Sequence, residues 1–422
     1  RRDRPAERPS AAEMSDPAPL LGAAQRPQSE EDEGGSQWAG VEQRMTFCGA
    51  VMSLTISMLG TGIVAFPYGF ALCGYMIGPS ALIFLGVLAH LSYASLIQCT
   101  AKVQVASYGG LLQEIPRAWQ HYTNFALWLL LILATTAYVL IAGDIIRSVA
   151  MQGLEEQPLM LRNASLFASI LLAVFPFCLQ RSLHGLAAVS GFCSCAILAV
   201  VGLIVWEAQA IYLEGPPIEE LAAVPSTRVR SVILAVPILG CAMFGHMNIS
   251  QIYAELQPKA KAQAPLIAMV SCLGVVLLYM AVGCVGYAAF GSGATADVVA
   301  QIAARRGEGG LVIVIQSLLA SFIVLKLPFL ILPLRSVSLA ILDPSADSNA
   351  LPFQKHLGLT FVLFACVYVA AMVLPDLGKV LEVLGAVSVI PLTFIVPARL
   401  SWALETPRPV GRCLLLATVG LL

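Results

Sequence analysis

The chain has 422 residues, of which 58% are hydrophobic and 12% charged, with a formal net charge of −1 and a mean hydropathy of +0.82. This composition excludes an ordinary soluble globular domain, and the near-neutral charge excludes the basic surface that nucleic acid demands. Residues 45–101, 118–143, 182–206, 231–254 and 262–296 contain no Asp, Glu, Lys or Arg. Runs of that length read as bilayer spans of about 20 residues each. They lack the alternating pattern of a barrel, and backbone groups in lipid must bond within their own segment, so the spans are helices. The expected fold is an all-α polytopic membrane protein.

In chain order, residues 1–44 are rich in Arg, Pro, Glu, Asp, Ser and Gly and read as a disordered cytosolic tail. Met14 opens MSDPAPLLG, which looks like a natural start. Asp16, Leu20 and Leu21 fit an acidic dileucine pattern, which points to sorting adaptors and favours an endolysosomal or vacuolar membrane over the plasma membrane. Residues 45–422 form the transmembrane domain. Its spans are expected at 46–70, 75–98, 122–147, 163–181, 186–210, 230–254, 264–291, 310–335, 354–374 and 380–398. An eleventh begins near 412; the few residues left before Leu422 are too short to cross alone, so the C-terminus reads as truncated.

Orientation follows from the 24 Lys and Arg. With the N-terminus inside, the arginines of the tail, Lys102, Arg117, Lys259, Lys261, Arg335 and Arg412 fall on the cytosolic side. Glu207, Glu214, Glu219 and Glu220 then lie outside, as does Asn163 in a possible glycosylation triplet. Asp144 ends span 3 near the outer face. The 11 cysteines show no CxxC pair or His cluster with metal-ligand spacing, so neither a metal nor a cofactor is expected.

Two spans carry their own interruptions. Span 1 reads LTISMLGTGIVAFPYGF, where Gly60, Thr61 and Gly62 weaken the helix at mid-membrane and Pro67 removes a further backbone bond. Span 6 reads AVPILGCAMFGHMNISQIY, with Pro237, Gly240 and Gly245 in a comparable setting. These are the first spans of two successive blocks of five. Small residues also serve plain helix packing, but breaks at equivalent positions of two halves point to a transporter site at the midplane. A carboxylate suits the amide end of a half-helix and an ammonium suits freed carbonyls. No Ser/His/Asp set, paired carboxylates or phosphate loop is present, so no enzyme activity is expected.

Lys326 is the sole charge between Glu308 and Arg335. An ammonium at that depth costs roughly 2.5–3.5 kcal/mol on insertion scales, so it faces a wet cavity or protein interior unless it snorkels. Arg335 lies nine residues on, about 13 Å of helix, and a lysine stem recovers only part of that depth. His246, inside the second interruption, either titrates in a wet site or packs as a hydrogen-bonded core histidine.

Several stretches together resemble the amino acid/auxin permease family, and within it the sodium-coupled neutral amino acid transporter branch. They are Gly60-Thr61-Gly62-Ile63 with Pro67-Tyr68; Ala137-Tyr138 with Ile141-Ala142-Gly143-Asp144; His246 and Asn248 followed by Ile252-Tyr253-Ala254-Glu255-Leu256; Gly286-Tyr287-Ala288-Ala289-Phe290-Gly291; Pro328 with Pro333-Leu334-Arg335; and Gly385-Ala386 with Pro397. The resemblance runs in order over residues 45–400. It implies eleven spans in a five-plus-five inverted repeat with helices 1 and 6 interrupted, and secondary transport of amino acids. The two interruptions place substrate at Gly60, Thr61, Gly62, Gly245 and His246.

Two positions depart from the family's pattern. Sodium-coupled members carry an Asn just before the first-span glycine motif, where this chain has Ile56. They also carry a hydroxyl residue two positions before the eighth-span proline, where this chain has Lys326. An isoleucine side chain supplies no oxygen ligand, and an ammonium puts a fixed charge where the ion would sit. Lys326 is therefore expected to replace sodium, with a proton or exchange as the coupling mode and a neutral amino acid as substrate. A sodium-coupled symporter and a non-transporting amino-acid sensor of the same fold are the alternatives.

Overall fold

The computed structural model describes residues 45–105, 107–150, 175–176, 178–179, 187–215, 229–307, 309–342, 352–405 and 407–421. The expected tail at 1–44, with Asp16, Leu20 and Leu21, lies outside the described residues, as do Asn163 and most of the expected span 163–181. Among the described residues there is no strand, and eight helical segments are long and apolar enough to cross a membrane. Two shorter apolar helices, Phe47–Met58 and Val410–Gly420, accompany them.

Helix α1 (Phe47–Met58) is capped by Thr46, whose hydroxyl accepts from Gly49 N at 3.2 Å, and it stops where the glycine motif begins. Residues Thr61–Ala65 form a 3-10 turn, and α2 (Phe66–Val103) follows. Pro67 does not interrupt span 1 as expected; it stands in the first turn of α2, where its missing N–H costs nothing. The expected boundary between spans 1 and 2 is a kink inside α2 at Gly74 (φ 81°, ψ 166°), a left-handed conformation that glycine tolerates. Next come α3 (Arg117–Ala150), α4 (Ala187–Glu214), and span 6 as α5 (Val229–Gly240) and α6 (His246–Glu255). Then follow α7 (Ala264–Phe290), the short α8 (Val298–Arg306), α9 (Gly310–Leu342), α10 (Phe353–Val373) and α11 (Leu377–Leu384). Span 10 continues through two π-helical stretches, Gly385–Val389 and Pro391–Ile395, into α12 (Val396–Leu404), and α13 (Val410–Leu421) closes the chain.

Contacts between the halves are reciprocal. α1 lies on α7, α5 lies on α2, and α2 against α7 forms the most extensive helix pair. Small residues permit this closeness: a Cβ on Gly286 would fall 2.4 Å from Cγ of Pro67. Exposed apolar side chains, such as Ile83 and Phe84 on α2 or Leu273 and Leu277 on α7, face outward, as lipid contact requires.

Arg335 was expected at the cytosolic end of span 8. Instead α9 runs on to Leu342, and Arg335 is buried, donating to Cys178 O at 2.9 Å and Thr360 Oγ1 at 3.1 Å, with His356 Nε2 3.0 Å away. A guanidinium offers five donors, so three partners on neighbouring elements make its burial tolerable.

Outside the spans, α8 is pinned at both ends. Arg306 pairs with Glu207 at 3.0 Å and with Glu214, both on α4. At the other end Asp297, 9% exposed, caps α8 by accepting from Ala300 N at 3.0 Å. Burial pushes its carboxyl up from 3.8 to about 6; the charge of Asp144 adds to this, and the amides of Ala300 and Val299 oppose it. The folded chain thus holds this proton more tightly than the unfolded chain. That contribution is complete below about pH 4 and is lost as pH rises through about 6. The thermal midpoint in detergent should fall across this window, and Asp297→Asn, which keeps a capping side chain, should shrink the fall.

Candidate functional site

The site is built from the two breaks. α1 ends at Leu59 in extended conformation (φ −74°, ψ 123°), with its N–H returning to Thr55 O. Gly60 opens the following 3-10 turn and, being glycine, supplies no side-chain cap to its early amides. In span 6, α5 stops at Gly240, a 3-10 turn spans Cys241–Met243, and Phe244 is extended (φ −90°, ψ 113°). Gly245 then starts α6, again with no side-chain cap.

α1 and α6 lie side by side. At one end Met45 N donates to Glu255 O at 2.9 Å and Gln257 N to Met45 O at 3.0 Å, tying the start of α1 to the finish of α6. At the other end Asn248 Nδ2 donates to Ser57 Oγ at 3.0 Å. A Cβ on Gly245 would lie 2.9 Å from the Tyr93 hydroxyl and 3.0 Å from Met58 Cγ, so this approach requires glycine. The carbonyl end of α1 and the amide end of α6 therefore meet at one place, with opposite partial charges.

A cavity of about 1060 Å³ opens from that place. Gly60, Gly62, Tyr138, Gly245 and Tyr279 line its inner part, and Gln251, Glu255, Pro333 and Ser336 line it toward the face where α1 begins. The volume is at the upper end for small-molecule sites, enough for a bound ligand and its entry path. On the far side Ile63, Val64, Ala65 and Phe66 are fully buried, and the Phe66 ring meets Tyr279 edge-on at 4.3 Å. The cavity is thus open to one face and sealed from the other.

Lys326 lies on the wall, half-buried, with Nζ 5.8 Å from the centre of the Phe329 ring and Cys193 of α4 within electrostatic reach. Gly60, Gly62 and Gly245 share the same wall, and the backbone of Thr61 forms the turn between the first two. His246 is placed elsewhere. Its side chain is fully buried behind the break, with Nε2 3.0 Å from Ser92 Oγ and the ring stacked on Tyr93 at 4.0 Å. Ser92 also donates to Thr393 O, so this histidine anchors α6 to α2 and span 10. Ile56 is half-buried on α1 and is not on the cavity wall.

Sequence reasoning missed the polar groups of the path, Ser57, Asn248, Gln251 and Glu255, and the hydroxyl of Tyr279. Asn248, Gln251 and Glu255 carry a signal in hindsight, since a three-to-four-residue spacing puts them on one face of α6. Glu255 is about 14 Å of helix from the break, by the rise of 1.5 Å per residue. It accepts from Gln251 Nε2 at 3.0 Å, and among the described residues it is the one acidic side chain on the cavity wall.

Residues 43–408 match the family model described as transmembrane amino acid transporter protein. The chain belongs to that family. It is 23% identical to the amino acid transporter AVT6E of Arabidopsis thaliana over 364 residues, covering 83% of this chain and 74% of that protein. It is 24% identical to solute carrier family 38 member 8 of Mus musculus, covering 83% of each. A crystal structure of the Eremococcus coleocola manganese transporter superposes with a TM-score of 0.56 at 14% identity, over 93% of this chain and 88% of that one. At that identity the likeness speaks for the fold alone. A multi-pass membrane transporter of the amino acid family is thereby established.

Proposed function

We propose that this transporter carries small or mid-sized neutral amino acids without sodium. The observation that carries the reading is the meeting of the carbonyl end of α1 with the amide end of α6 inside one cavity. A zwitterion presents an ammonium to the first and a carboxylate to the amides at the start of α6 and at Gly60, and each is favoured by the local dipole. Among the described residues no carboxylate stands at the break to meet a cationic side chain, which argues against lysine and arginine as good substrates.

Lys326 supplies on the wall the positive charge that a sodium ion brings elsewhere in this fold, and proton loss and gain at its amine, or a permanently filled cation position, sets the coupling. With the N-terminus cytosolic, the open mouth faces the cytosol and the state is inward-open. The dileucine pattern at Asp16, Leu20 and Leu21 supports an endolysosomal or vacuolar membrane. The test is competition for uptake of labelled alanine into reconstituted vesicles. Alanine and glutamine are expected to compete strongly and lysine or arginine weakly; the reverse ranking would overturn the substrate class.

A further inference from the structure

A phenol hydroxyl at membrane depth must find partners, because an unpaired buried polar group costs about as much as a lost hydrogen bond. Tyr279 on α7 finds both of its partners at the first break. Its hydroxyl donates to Met58 O at 3.3 Å and accepts from Gly60 N at 3.4 Å. One side chain thus bridges the last carbonyl of α1 and the amide beyond Leu59. Both contacts are longer than ordinary hydrogen bonds, as expected of one oxygen reaching two groups that diverge from a break.

The second break has the equivalent brace. Tyr93 on α2 donates to Met243 O at 3.0 Å. Tyr93 follows Gly60 by 33 residues and Tyr279 follows Gly245 by 34, so the two tyrosines occupy matching places in the two halves. Each half braces the break of the other. The environments differ. Both are buried, but Tyr93 is stacked on His246 and off the cavity, whereas Tyr279 contributes to the cavity wall.

We propose that the Tyr279 hydroxyl is an internal stand-in for substrate, holding the first break when the site is empty and yielding its two partners to the bound amino acid, while Tyr93 keeps the second break fixed. The inference rests on the amino-acid reading above. A hydroxyl that donates to a carbonyl and accepts from an amide does with one atom what an α-ammonium and an α-carboxylate do together. It therefore competes with substrate for Met58 O and Gly60 N. Its removal must weaken the empty state and strengthen the bound one. A tyrosine that contacted substrate directly would do the opposite.

The experiment compares the full chain in detergent with Tyr279→Phe, which keeps the ring against Phe66. Without ligand, amide hydrogen exchange in the Leu59–Val64 stretch should quicken about fivefold, the effect of one lost hydrogen bond. Alanine affinity, measured by direct binding, should tighten by about the same factor. Tyr93→Phe should leave exchange in the Leu59–Val64 stretch unchanged. Unchanged exchange, or alanine binding that is equal or weaker in Tyr279→Phe while the unmutated protein binds alanine, overturns this inference and leaves the amino-acid reading standing. Failure of the unmutated protein to bind any neutral amino acid overturns that reading, and the displacement with it. Should Tyr279→Phe not fold, Tyr279→Leu removes the same hydroxyl and must show the same two changes.

Discussion

Gly62→Val is expected to lower amino-acid uptake by about a hundredfold or more, equivalent to roughly 2.7 kcal/mol, while the protein still inserts and folds. The reason is the space around this residue. A Cβ at Gly62 meets nothing within 4 Å, because it would project into the cavity rather than into a neighbour. Gly62 is also absent from the residues of positive φ, so a valine backbone is not strained there. The added isopropyl group would occupy the room that substrate needs next to the exposed backbone. Gly245 makes the contrast, since a Cβ there would strike Tyr93 and Met58 and push α6 from α1. Uptake is to be measured against the amount of protein in the membrane and its thermal midpoint. A Gly62→Val protein that folds and still transports at a tenth of the normal rate or better would remove the backbone at 60–62 from the substrate site.

Lys326→Ala is expected to reduce uptake about tenfold or more, a loss of roughly 1.4 kcal/mol, and replacing sodium by choline is expected to leave the unmutated protein unchanged. An ammonium on the wall of a cavity at membrane depth is costly to keep, so its presence calls for a role. A fixed positive charge also repels a second cation from the same ground. Removing it leaves that ground empty, and with Ile56 off the wall no oxygen-bearing side chain at that position takes its place. A tenfold drop when choline replaces sodium at constant pH, in the unmutated protein, would return the chain to sodium coupling.

The sequence announced most of this fold through its charge-free runs, because bilayer depth forbids charges and demands helices. Helix ends were less legible. Pro67 reads as a breaker in any apolar run, yet next to Gly60–Gly62 it starts a helix, and only the position of the break decides between the two. Arg335 reads as the end of span 8 because an arginine is charged, but His356, Thr360 and Cys178 O meet it from elsewhere in the chain, which no linear pattern reveals. The glycines of the site were readable since each is needed for backbone exposure or close approach. His246 was legible only as two alternatives, and the packed one holds because of Ser92 and Tyr93, 154 and 153 residues away in sequence. Tyr279 sits in an unbroken apolar run, and its significance comes only from the break it faces.

On the proposed reading the ends of α1 and α6 bind a neutral amino acid and pass it across the membrane. The most direct test counts molecules: labelled alanine taken up by sealed vesicles, expressed per molecule of protein, with and without sodium. Uptake is expected to reach many times the number of protein molecules, equal in both media and lost in Gly62→Val. Uptake that stops at one alanine per protein molecule would contradict this reading and mark the protein as a sensor that binds without carrying.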